Sequence, residues 1–175
     1  MVGTWSWQKG VDVLVESFVS LRQEYPDLEL HHVGAVGDVP FPHDLPGAFH
    51  LDAVPQPELT RHYAQAHVFV LASRQDGLAV VQAQALASGL PLVCTTRTGG
   101  FDLAELLGGS PPITLTTPGD PTSLREGIAT QLARLTHVGG RRDLLGEVGR
   151  RRLTWQAYGE RWHANLVARV APHPR

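Results

Sequence analysis

Lys9 and Asp76 are the residues whose type and setting most suggest chemistry. Lys and Arg together number 15 in the 175-residue chain, and Lys9 is its single lysine. The composition is skewed toward Arg, Ala, Gly and Pro, so a lone lysine marks a place where an ammonium is wanted. It lies in the glycine-bounded stretch Gly3-Thr4-Trp5-Ser6-Trp7-Gln8-Lys9-Gly10. Asp76 lies in the stretch Ser73-Arg74-Gln75-Asp76-Gly77, just ahead of a helical pattern over Val80–Ser88. The backbone N–H groups of Leu78, Ala79 and Val80 then open that helix. Such donors, at the positive end of the helix dipole, are a phosphate-binding arrangement. Gln84, two turns in, can face the same mouth. Each residue also has a plainer reading. Lys9 would be a surface lysine, Asp76 a helix N-cap, Gln84 a solvated side chain, and Gly99-Gly100 a turn.

The elements that must position these residues alternate. Apolar residues at Leu14, Val15, Phe18, Val19 and Leu21 have helical spacing within Val11–Glu24, and Tyr25-Pro26-Asp27 stops the helix. Strands are expected at Leu28–Val33, Phe49–Leu51, Val68–Ala72, Leu92–Thr95 and Ile113–Thr116. Helices are expected at Pro57–Gln65, Val80–Ser88, Asp102–Leu107, Pro121–Thr136, Arg141–Arg151 and Thr154–Val170. Pro40, Pro42 and Pro46 make Asp38–Gly47 a loop. The run Val68-Phe69-Val70-Leu71-Ala72 is apolar throughout, as in a strand covered on both faces. Alternation of this kind implies an α/β fold with a doubly wound, Rossmann-like parallel sheet. Ligands of such sheets sit at the C-terminal strand ends. The turns to search are therefore Gly3–Gly10, Gly34–Asp38, Ser73–Val80 and Thr95–Gly100. The whole chain, 1–175, reads as one domain. Only Met1 and Val2 precede the first glycine turn, whereas a strand averages about five or six residues. The expectation is a first strand that is truncated.

Composition narrows the function classes. The formal net charge is -2 and the pI about 6.5, which disfavours nucleic acid as a partner. Cys94 is the lone cysteine, so there is no internal disulfide and no cysteine-based zinc site. A reducing compartment fits, and the expected location is the cytoplasm, with the inner face of a membrane as a further option. No apolar run reaches the roughly 20 residues of a membrane span. The nine histidines lack a helical zinc pattern, and no Ser-His-Asp set is visible. His31-His32 on a strand should have one ring buried and one exposed. Cys94 reads as a small core residue.

The stretch Ser73–Val93 resembles the Glu-x7-Glu signature of family-4 retaining glycosyltransferases. Asp76 and Gln84 stand at the two glutamate positions, and Gly77, Ala85, Ala87, Gly89 and Pro91 also match. Gly3–Gly10 resembles the family's G-R-x-x-x-x-K-G segment, and Leu28–Gly37 its strand ending in V-G-x-G. Ala66–Ser73 resembles its A-D-V-F-V-L-P-S strand, Gly99-Gly100 its glycine loop, and Thr154-Trp155 the pair opening its final helix. The resemblance implies one lobe of a GT-B fold, the C-terminal, donor-binding one. It implies a hexosyl transfer with retention from a nucleotide-diphosphate sugar to a glycan or lipid-linked acceptor held by an absent N-terminal domain. By the same resemblance, Lys9 neutralises the diphosphate and Asp76 binds donor-sugar hydroxyls. Leu78, Ala79 and Val80 offer N–H groups to phosphate, and Gln84 binds ribose. Gly3, Gly34, Gly99 and Gly100 let the backbone approach. No metal or cofactor is expected. Residues near Asp52–Val54 are assigned to the base. Thr4 replaces the family's arginine, which removes one cation unless Arg74 or Arg97 reaches in. Asp76 and Gln84 depart from glutamate.

Two alternatives stand beside this reading. One is a non-catalytic module that binds a nucleotide sugar or a partner, favoured by Thr4 and Gln84. The other is a sugar-nucleotide epimerase, against which the transferase motif counts. Arg141-Arg142 and Arg150-Arg151-Arg152 read as a solvated helix face or an anion site. Trp155, Tyr158, Trp162 and Leu166 form one stripe on the final helix. It is either core or a face that turns toward a missing domain, and exposure would favour self-association.

Overall fold

The computed structural model describes residues 1–77, 79–137 and 144–170, with side chains through Val167. After a 3-10 turn at Trp7–Lys9 come α1 (Val11–Glu24), β1 (Leu30–Val33), β2 (Ala48–Leu51), α2 (Gln56–Gln65), β3 (Phe69–Leu71), α3 (Val80–Ala87), β4 (Leu92–Thr95), α4 (Gly100–Leu107), β5 (Ile113–Thr116), α5 (Pro121–His137), α6 (Gly146–Arg152) and α7 (Trp155–Val170).

The strands pair in parallel, β1 with β2, β3 with β4, and β4 with β5. The N-terminal segment runs beside β1, with parallel bridges from Val2 to Val33 and Trp5 to Val36. Alternation along the strands divides the core in two. Val70 and Val93 join Leu14, Phe18 and Leu21 of α1 and Leu124 and Ile128 of α5 on one face. Phe69, Leu71, Leu92 and Cys94 join Leu59, Leu86 and Leu103 of α2, α3 and α4 on the other. β3 and β4 are buried along their whole length, which explains their unbroken apolar sequence. Burying each of these leucines and valines contributes about 2 kcal/mol. The fold is the expected Rossmann-like α/β arrangement.

Several expectations shift. α4 begins at Gly100 rather than Asp102, with Gly99 as its N-cap. Thr98 closes this turn by donating its hydroxyl to the Thr95 carbonyl at 2.9 Å. α6 begins at Gly146, and Arg141 and Arg142 lie outside the described residues. Arg152 is no idle member of a solvated face. Its Nη1 donates to the Leu106 and Leu107 carbonyls at 3.1 and 2.6 Å, which satisfies acceptors at the end of α4. His31 is exposed and His32 buried, as the alternation requires. Cys94 is fully buried, and burial pushes its thiol up to about 11. The stripe on α7 is not core: Trp155 is 72%, Tyr158 50%, Trp162 58% and Leu166 45% exposed.

Candidate functional site

The four turns singled out from the sequence interlock at the C-terminal strand ends. The Gly34–Asp38 turn holds the Gly3–Gly10 turn, because Asp38 Oδ1 accepts from the Trp7 N–H at 2.9 Å. The Gly3–Gly10 turn holds Ser73–Val80 through Arg74 N–H donating to the Gln8 carbonyl at 2.9 Å. That turn in turn holds Thr95–Gly100. The Asp76 N–H donates to the Arg97 carbonyl at 3.0 Å, and the Gly99 N–H to the Gly77 carbonyl at 3.3 Å.

This lattice places Lys9 and Asp76 side by side. The Lys9 ammonium donates to Asp76 Oδ2 in an ion pair. The two side chains are 24% and 20% exposed, so the pair is shielded yet reachable from solvent. Gly10 lets the turn close at this point. Its φ is +67°, and a Cβ would overlap the Ala72 carbonyl. α3 starts just beyond Asp76. Its N-cap is Ala79, which supplies no side-chain cap, and the Gln82 N–H of its first turn donates to the Ala79 carbonyl at 2.9 Å. Leu78 lies outside the described residues. Gln84 turns toward α2, where its Oε1 accepts from the Tyr63 hydroxyl at 3.3 Å. Burial raises that hydroxyl to about 12, so it stays a donor. Gln84 and Tyr63 line a groove of about 390 Å³ between α2 and α3, together with Gln56, Pro57 and Thr60.

The glycines divide. Gly3 and Gly77 have open space where a Cβ would stand. Gly34 is required for another reason: its Cβ would strike the Gly3 carbonyl. At Gly100 the Cβ would strike Cys94 Sγ. The close approaches at Gly34 and Gly100 are therefore internal packing.

Neither arginine stands in simply for the missing one at Thr4. Arg74 makes a paired contact with Asp12, at 2.7 and 2.6 Å, and donates to the Trp7 carbonyl at 2.7 Å. Its guanidinium also lies 4.1 Å from the Trp7 ring centroid. The Arg74 hydrogen bond holds the Asp12 carboxyl below the ordinary carboxylate range. Arg97 is exposed on the turn beside Asp76. Asp12 and Asp38 are supports that the sequence reading did not single out. Their signal was position alone, one at the start of α1 and one at the end of a searched turn. Among the described residues, no three His, Cys, Asp or Glu side chains converge as metal ligands.

The profile described as "Glycosyl transferases group 1" matches residues 1–134. The chain belongs to this family. It is 30% identical over 150 residues to the sulfoquinovosyl transferase SQD2 of Arabidopsis thaliana, covering 81% of this chain and 28% of that protein. It is 31% identical over 119 residues to spore coat protein SA of Bacillus subtilis (strain 168), covering 59% and 31%. The chain thus spans about a third or less of these curated relatives. Among solved structures, Anabaena Alr3699/HepE in complex with UDP and glucose superposes with a TM-score of 0.70 at 18% identity, covering 95% of this chain and 48% of that one. The C-terminal domain of the group 1 glycosyl transferase LpcC from Francisella tularensis superposes with a TM-score of 0.61 at 18% identity, covering 90% and 85%. This group 1 glycosyltransferase chain has the fold of one GT-B lobe. No described helix is long and apolar enough to cross a membrane.

Proposed function

We propose that this chain is the donor-binding lobe of a retaining glycosyltransferase that uses a nucleotide-diphosphate sugar. The observation that carries the reading is the Lys9–Asp76 pair at the interlocked strand ends. Without donor, Asp76 neutralises the ammonium. With donor, the diphosphate takes over that ammonium and Asp76 turns to hydroxyls of the sugar. An ammonium beside a departing diphosphate stabilises charge that grows in the transition state. The opening N–H groups of α3 add phosphate donors. Gln84 offers its amide N–H to ribose hydroxyls, since Tyr63 already occupies its oxygen. Gly3, Thr4 and Gly77 line the approach, and Gly99 and Gly100 hold the floor.

The transfer breaks the bond between the anomeric carbon and the diphosphate oxygen. The acceptor hydroxyl forms the new C–O bond on the same face, and its proton passes to the departing phosphate. No side chain of this lobe is needed as a nucleophile, and Lys9 takes the place of a metal ion. The donated unit is a hexose. The acceptor, a glycan or lipid-linked sugar, is held by a second domain toward which the 154–170 helix points, and activity depends on that domain. The location is cytoplasmic, at or near the inner face of a membrane. In support, Alr3699/HepE was solved with UDP-glucose.

A thermal-shift screen against UDP, GDP, ADP and their hexose derivatives tests the reading, because a ligand of the folded state raises the melting temperature. One nucleotide series should raise it, and Lys9→Ala and Asp76→Ala should each abolish the rise. An unchanged rise in both variants would refute the site. A non-catalytic nucleotide-sugar module is the second reading. It is favoured by Thr4 and by the commitment of Arg74 to Asp12, which leaves Lys9 without a second cation held beside it. Donor binding without turnover, when the acceptor domain of a group 1 relative is fused ahead of the chain, would select it.

A further inference from the structure

The turn that carries Lys9 also carries two tryptophans with opposite fates. Trp5 is fully buried, whereas Trp7 is 55% exposed. A side chain left in water is ordinarily free to move, but Trp7 is held on every side but one. Its N–H donates to Asp38 Oδ1 at 2.9 Å. Its carbonyl accepts from the Gly10 N–H at 3.0 Å and from Arg74 Nη1 at 2.7 Å. The Arg74 guanidinium lies over the indole, 4.1 Å from the ring centroid. Both oxygens of Asp12 hold that guanidinium in turn. The indole thus has a fixed backbone and a fixed back, yet it belongs to neither core cluster.

The guanidinium takes one face of the ring, and the exposure of Trp7 leaves the opposite face open to solvent. Among the described residues no other aromatic ring packs on it. An immobile apolar face bordered by hydrogen-bonding groups complements a pyranose. Such a sugar carries C–H bonds on the faces of its ring and hydroxyls around the rim. The C–H bonds lie against an indole, whose faces are electron-rich, and the hydroxyls require acceptors beside it. Asp38 supplies one. It is exposed, and with Oδ1 engaged by the Trp7 N–H, its Oδ2 makes no bond among the described residues. A carboxylate at that border favours a neutral, hydroxyl-rich ligand over an anionic one. Fixing the ring in advance also removes the cost of ordering it when a ligand arrives.

We propose that Trp7 is a stacking platform for a hexopyranose ring, with Arg74 and Asp12 as its positioning residues and Asp38 as acceptor for a sugar hydroxyl. Assigning that ring to the acceptor rests on the reading of the chain as a donor-binding lobe. Trp7 and Lys9 share one turn at the strand ends, so a sugar on Trp7 lies on the surface where transfer takes place. The acceptor is then a glycan, recognised in part by this lobe.

Titration of the chain with maltotriose and with cellotriose, followed at the Trp7 indole N–H resonance, tests this. Trp7→Phe identifies that resonance by its loss. At least one trisaccharide should move it along a saturating curve, with a dissociation constant of about 1–10 mM. Sorbitol, which has the hydroxyls and no ring, should leave it in place. Arg74→Gln keeps the indole but removes its backing, and should weaken binding at least threefold. A resonance that answers neither trisaccharide, or answers sorbitol equally, would overturn the proposal. So would a response to uridine or adenosine alone, which would make Trp7 a base platform. An unchanged dissociation constant in Arg74→Gln would overturn the positioning role. The two readings fail separately. A nucleotide series that raises the melting temperature beside a silent Trp7 would refute the platform alone. A trisaccharide response with no nucleotide effect would refute the donor lobe and keep the platform.

Discussion

At the scale of single residues, the protonation pattern beneath the glycine turn can be deduced. His32 Nε2 lies 2.7 Å from the Gly3 carbonyl, and a carbonyl only accepts, so this nitrogen carries the proton. Neutral His32 Nδ1 is then an acceptor, and His50 Nδ1, at 2.9 Å, must donate to it. His50 Nε2 is left facing Asp52 at 3.4 Å. A proton added on His32 Nδ1 would set two N–H groups against each other. Burial lowers the His32 basicity, and Trp5 and Phe41 pack against the ring. A base with a lowered native pKa binds fewer protons folded than unfolded. The stability it supports is present above its unfolded value of about 6.5 and is lost as pH falls below it. The buried Met1 amine acts with the same sign between about 8 and 5. The two separate on a chain acetylated at Met1, which no longer carries the amine. There, lowering the pH from 7 to 5 should still depress the melting temperature, and His32→Gln should flatten that slope. An undiminished slope in the variant would disprove the assignment. Lys9 behaves otherwise: Lys9→Ala strands a partly buried Asp76 and should cost about 1–2 kcal/mol in urea unfolding. An unchanged midpoint would mean that the pair contributes nothing to the fold.

Elements show which parts of the structure were legible beforehand. β3 and β4 were readable because covering on both faces leaves no polar position in them. α1 was readable from spacing, and the four turns at the strand ends from their glycines and the alternation. What the turns bond to was not readable, because hydrogen bonds between loops distant in sequence leave no local pattern. Hence Asp12 and Asp38 went unremarked, and Gly34 and Gly100 looked like ligand approaches when they accommodate a carbonyl and a thiol. The start of α4 moved for the same reason, since Gly100 is drawn into the helix against Cys94. Gly100→Ala should therefore cost about 1–3 kcal/mol through overpacking. Its Cβ would meet Cys94 Sγ first and Leu115 Cδ2 next, at 3.0 Å. Cys94→Ala removes the sulfur, so the double variant should recover part of that loss. Additive effects in the double-mutant cycle would show that the two positions do not share this contact. The Arg74–Asp12 link between β3 and α1 is an ion pair at 2.6 Å with side chains 23% and 47% exposed. Exposure keeps such pairs to about 0.2–1 kcal/mol, so its main effect is to orient Trp7 and the turn that carries Lys9.

At the scale of the molecule, the sequence left two readings of the aromatic stripe on α7, and the structure selects the exposed one. Trp155 and Tyr158 touch edge to face with ring centroids 6.0 Å apart, and Trp162 and Leu166 extend the same face. Val167 is also exposed, at 53%. Burial of such aromatic surface in water is favourable at roughly 25 cal/mol per Å², and contiguous apolar patches on soluble proteins mark contact sites. Under the proposed function, the surface that covers the stripe is the acceptor-holding domain. In this chain by itself the nearest apolar surface is the same stripe on another copy, so self-association is the expected outcome. Sedimentation velocity over a hundredfold concentration range should show the weight-average coefficient rising with concentration. The double variant Trp155→Ser/Trp162→Ser should remain monomeric throughout while keeping its circular dichroism, because neither ring packs into the core. Association that persists in the variant would assign the contact to another surface. A wild-type chain that stays monomeric would mean that the stripe is tolerated in water, and the argument from apolar area would fail at its first step.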